Sequence, residues 1–138
     1  MPGTDASRIP MARQAENVLQ LDVDKEVSAV ADLGLEWAEK HEVASLLEET
    51  RKTLLAQIIT EILAASRASG KKGVSFAQAE TEALADVRYE THLREMTEAR
   101  REANKAKVRH DTAGVRLEML RSLMATQREE MRLAGMVR

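Results

Sequence analysis

The chain has no cysteine among its 138 residues. Disulfides and zinc–thiolate sites are excluded, and a reducing compartment is compatible. Aromatics are nearly absent, with one Trp, one Tyr and one Phe, which removes the large fillers that a sandwich or barrel core wants. The only prolines are Pro2 and Pro10, so no helix breaker of that kind follows residue 10. No apolar run approaches the roughly 18–20 residues of a membrane span, the longest candidate being broken by Glu61. The first residues, MPGTDASR, lack the apolar stretch of a signal peptide. The expectation is a soluble, cytoplasmic protein that makes no membrane contact.

What remains is the composition of long helices. Charged residues make up 32%, and the apolar set is mainly Ala, Leu, Met, Val and Ile. The length suits one domain. In the C-terminal half Met96, Ala103, His110, Leu117, Met124 and Met131 recur every seven residues, as do Ala99, Ala106, Ala113, Leu120, Gln127 and Ala134. These rows are the a and d positions of a heptad, so one long helix presents a narrow seam to another helix.

Boundaries follow from caps and glycines. Residues 1–21 read as a flexible N-terminal arm, with a short amphipathic piece near Ala15 to Leu21. Asp22 or Asp24 is a candidate N-cap for a helix over about 24–66, with Gly34 a possible kink or break. The Ser69-Gly70-Lys71-Lys72-Gly73 run predicts a turn over 67–75. Ser75-Phe76-Ala77-Gln78 is a capping-box pattern that starts a second helix, over about 76–134. Gly114 is a weak point in it, costing about 1 kcal/mol relative to Ala. The predicted fold is all-α: a long antiparallel, coiled-coil-like helical hairpin over 22–138 with an N-terminal arm. At 1.5 Å per residue the second helix outruns the first by roughly 15–20 residues. The protruding C-terminal end, bearing Leu117, Leu120, Leu123, Met124 and Met131, is thus the expected partner-binding surface, most simply for a homodimer.

Catalytic and metal motifs are missing. His41-Glu42-Val43-Ala44-Ser45 begins like a helical zinc-protease motif, but Ser45 stands where the second His is needed. No Glu-x-x-His occurs, which removes the di-iron bundle. His92 and His110 fall on the seam, where a polar residue fixes register. Gly70-Lys71-Lys72-Gly73 lacks the preceding strand and the ending of a phosphate loop. The expectation is a non-enzymatic chain with no catalytic residues, cofactor, metal or small-molecule substrate.

The net charge of −2 conceals an asymmetry, −6 over residues 1–87 and +4 over 88–138. The basic half either complements the acidic half across a hairpin or meets phosphates. For the second reading Arg100, Arg101, Lys105, Lys107 and Arg109 are the candidate DNA contacts, by counterion release without sequence readout. Interleaved Glu90, Glu95, Glu98, Glu102, Asp111 and Glu118 favour a salt-bridged, solvated helix instead, and no aromatics are available to stack on unpaired bases.

Two stretches, FAQAETEALA (76–85) and REANKAKVRHDTAGVRLEMLRSLMATQREEM (101–131), resemble small helical accessory proteins of tailed bacteriophages, often encoded among recombination and replication genes. The similarity covers about the last 60 residues. It implies a phage accessory protein of DNA metabolism or host interference in a bacterial cytoplasm; with the apolar seam, the expected function is that of an adaptor or inhibitor binding a protein of DNA processing or host defence. The alternatives are a non-specific DNA-binding accessory protein and a virion structural or assembly protein.

Overall fold

A computed structural model describes residues 11–70 and 73–135, with the side chains of Ala12, Ala15 and Glu16 left aside. All regular structure among these is helical: α1 (Met11–Ala68), α2 (Phe76–Leu84) and α3 (Val87–Leu133). Helices α1 and α3 pack against each other as an antiparallel hairpin. No described helix is long and apolar enough to cross a membrane. Where length predicts one domain, the described residues group into two compact units, 11–35 with 107–135, and 36–106.

The heptad is carried by both long helices. On α3 every seam position from Met96 to Met131 is buried or half-buried, and only Ala134, beyond the helix end, is exposed. The row extends back through His92 to Tyr89. Helix α1 has a matching row at alternating spacings of four and three: Leu19, Val23, Glu26, Val30, Leu33, Trp37, Lys40, Ala44, Leu47, Arg51, Leu54 and Ile58. All are buried or half-buried. Ala44, Ala103, Ala106 and Ala113 are buried seam residues, and their small side chains let the facing backbones approach closely. Glu26, Lys40 and Arg51 break the apolar pattern of the α1 row, which hides it from a search for hydrophobic positions alone.

Three boundaries differ from the sequence reading. Helix α1 begins at Met11, immediately after Pro10, so residues 11–21 are helical; the rest of the expected arm, 1–10, lies outside the described residues. Asp24 caps nothing: its carboxylate accepts from the Gln20 amide one turn back, at 2.9 Å. Gly34 lies within continuous helix. A Cβ there would meet His110 Cδ2 at 3.4 Å, so the residue sits at a close approach to α3. The third difference is a break at Ala85–Asp86. The Asp86 carboxylate accepts from the Arg88 amide at 2.8 Å, which is the N-cap interaction that starts α3.

The loop itself follows the sequence. Helix α1 runs two residues further than expected, to Ala68, and Gly70 takes φ +67°. The Ser66 hydroxyl accepts from the Val74 amide at 3.0 Å, and both halves of the Ser75–Gln78 capping box form. Lys71 and Lys72 lie outside the described residues. The break at Asp86 lets α2 lay Ala79 and Ala83 on Ile58 and Ile59, with Tyr89 joining from α3. Leu54, Leu55, Ile62, Leu63, Val74 and Leu93 close the periphery of this core.

Candidate functional site

The residues expected to protrude do not. With α1 starting at Met11, the C-terminal end of α3 has a partner within the chain. Leu117 and Met124 form a cluster with Val23, packed about by Leu19, Val30 and Leu120. Leu117, Met124 and Met131 are only 8%, 7% and 7% exposed. They are core, and the length mismatch that made them a partner site disappears. Of the five expected contacts only Leu123 is exposed.

Three of the five basic candidates, Arg100, Arg101 and Lys105, are drawn into ion pairs. Arg100 donates through Nε and Nη2 to the two Glu48 carboxylate oxygens, each at 2.8 Å. Its Nη1 donates to His41 Nδ1 at 3.0 Å. His41 Nε2 lies 3.5 Å from the Ser45 hydroxyl, and the cluster ties α1 to α3. Lys40 adds a pair to Glu102 at 3.6 Å, and His92 Nε2 donates to the Leu47 carbonyl at 2.7 Å, the register role its seam position predicts. Arg101 pairs with Glu98 at 3.9 Å and Lys105 with Glu102 at 3.3 Å; Lys107 and Arg109 are engaged as well. In the other unit Arg116 reaches Glu26 at 3.7 Å. Acid and base thus complement each other across the helix pair. Among the described residues no group of His, Asp and Glu could hold a metal ion.

The Arg100 hydrogen bond holds the Glu48 carboxyl below its ordinary 4.5. A depressed carboxylate stabilises the folded state above its unfolded pKa, and that contribution is lost as pH falls through the folded value. Glu48→Gln is therefore expected to lower the unfolding midpoint at neutral pH. The gap from the unsubstituted protein should close as pH falls below 4.5. Urea titrations of both proteins over a pH series check this; a gap independent of pH would show that the Glu48 charge is not what stabilises.

The face of α3 opposite its seam carries the surface that the sequence reading missed. Positions c and f of the heptad, which face solvent in a two-stranded coil, change character along the helix. They read Arg94, Glu98, Arg101 and Lys105, and then Val108, Thr112, Val115, Met119, Ser122 and Thr126. No charge occupies these positions from 108 to 126, and every one is exposed, Val115 at 62% and Met119 at 63%. A shallow groove of about 810 Å³ lies along one side of this stripe, where Val115, Met119, Ser122, Leu123 and Thr126 meet His110, Asp111, Gly114 and Glu118. The signal was available in the sequence as a second run of alternating three and four spacings without charge, offset from the seam. Compared with protein-family models, curated proteins and solved structures, the chain matches none of them.

Proposed function

We propose that this protein is a non-enzymatic helical interaction module, and that the outer face of α3 between Val108 and Thr126 is its protein-binding surface. One observation carries the reading. On a helix otherwise rich in ion pairs, the c and f positions carry no charge over 108–126, with Val108, Val115 and Met119 exposed between charged flanks. Solvent gives no reason for such a stripe, whereas a partner that removes it from water does. The phage-type resemblance supports an adaptor or inhibitor acting in DNA processing or host defence. Commitment of the Arg100 guanidinium to Glu48 and His41 weighs against the DNA-binding alternative.

The test is a photo-crosslinking residue at Met119, with a second at Arg101 on the charged stretch of the same face. Irradiation of producing cells is expected to give discrete protein adducts from position 119 and none from 101. The reading is overturned by adducts from neither position, or by anisotropy titrations showing tight, salt-sensitive DNA binding that Met119→Asp leaves unchanged.

A further inference from the structure

We infer that the occupant of this face is a second copy of the same chain, docked antiparallel about a two-fold axis near residues 120 and 121 of α3. The inference rests on reading the face as a protein-binding surface, and it comes from the charges that flank the stripe. Taken as a second seam, the stripe has Thr112, Met119, Thr126 and Leu133 in one row and Val108, Val115, Ser122 and Glu129 in the other. It runs from 108 to 133, roughly 38 Å at 1.5 Å per residue. One flank holds Arg109, Arg116, Leu123 and Glu130, and the other holds Asp111, Glu118, Ala125 and Arg132. On each flank the sign reverses from one end to the other, and the two flanks reverse in opposite senses.

Such a pattern complements its own inverted image. In an antiparallel pair each flank meets the same flank of its mate, running the other way. Packing Met119 against Ser122 of the second copy, and Val115 against its Thr126, fixes the register. In that register Arg109 meets Glu130 of the second copy and Asp111 meets its Arg132. The two-fold axis repeats both contacts, giving four attractive pairs. Arg116 and Glu118 fall opposite the uncharged Leu123 and Ala125, so no like charges meet. A parallel pair brings Asp111 to Arg116 and gives only two attractive contacts. Gly114, where a Cβ would find nothing within 4 Å, borders the groove and leaves room for the incoming helix. The intrahelical Arg132–Glu129 pair, at 2.6 Å, lies at the stripe's end and is exchanged for the intermolecular contact on docking.

Sedimentation equilibrium on the purified full chain is expected to return twice the chain mass. Asp111→Arg should raise the dimer dissociation constant about tenfold, because two attractive pairs become two repulsive ones. Adding Arg132→Asp to it should restore dimerisation. All these positions are exposed, so folding is retained and circular dichroism confirms it. The absence of native cysteine allows a direct reading of direction. A Val115→Cys chain mixed with a Thr126→Cys chain is expected to form the mixed disulfide, and Val115→Cys alone should not crosslink to itself. Self-crosslinking of Val115→Cys without the mixed product overturns the antiparallel arrangement. A chain monomeric at its highest soluble concentration overturns self-docking. Adducts from position 119 in cells would then leave the protein-binding reading standing, and their absence would remove both.

Discussion

Ile58→Ala is expected to destabilise the 36–106 unit by about 2–4 kcal/mol. Ile58 is the only large side chain among the described residues that is completely buried. Truncation removes three carbons from the point where α1, α2 and α3 meet. The cost depends on how far the surroundings can collapse, and here they collapse poorly. Ala79 and Ala83 facing it have no rotamers to swing into the space, and Tyr89 is a rigid ring. A folded domain typically has only about 5–15 kcal/mol in hand, so the change consumes a large share. Ile58→Val, which keeps the branch and loses one methyl, should cost about 0.5–1.5 kcal/mol. Urea unfolding of the three proteins checks both figures. Equal midpoints for Ile58→Ala and the unsubstituted chain would show that this core does not limit stability.

Met124→Asp is expected to unfold the pairing of residues 11–35 with 107–135. The thioether lies in an apolar cluster with Val23 and Leu117, packed about by Leu19, Val30 and Leu120. A charge left unpaired there costs several kcal/mol or forces the helices apart. Hydrogen exchange followed by mass spectrometry should show protection lost across both segments. Leu123→Asp supplies the control: one residue earlier, 56% exposed, it should leave exchange unchanged. The opposite ranking would restore Met124 as a partner contact and make Leu123 the core residue.

The α3 heptad was legible because its a and d rows are mostly apolar, and the Ser75–Gln78 box because two side chains at fixed spacing define it. The α1 row was harder to see. Glu26, Lys40 and Arg51 sit in it with their stems against the neighbouring helix, and a hydrophobic filter discards them. That oversight moved the start of α1 from Met11 to Asp24, left the end of α3 without a partner, and turned Leu117, Met124 and Met131 into a binding site. The Asp86 cap was missed for another reason: an Asp between Ala and Val, with no Gly or Pro nearby, is a common helix-surface residue too. What decides it is the core at Ile58, which α2 can reach only if the chain turns.

The antiparallel pairing also fixes the order in which the chain can assemble. Contacts near the turn join residues close in sequence, as Val74 to Ser66 does across 8 positions. His92 reaches Leu47 across 45, Arg100 reaches Glu48 across 52, and Arg116 to Glu26 is longer again. The entropy lost on closing a loop rises with its length, and each contact already made shortens the loop left for the next. Folding is therefore expected to nucleate at the tip around Ile58, Ala83 and Tyr89 and to proceed outward along the helix pair. Substitutions there should slow folding, whereas those at Val23 or Leu117 should mainly speed unfolding.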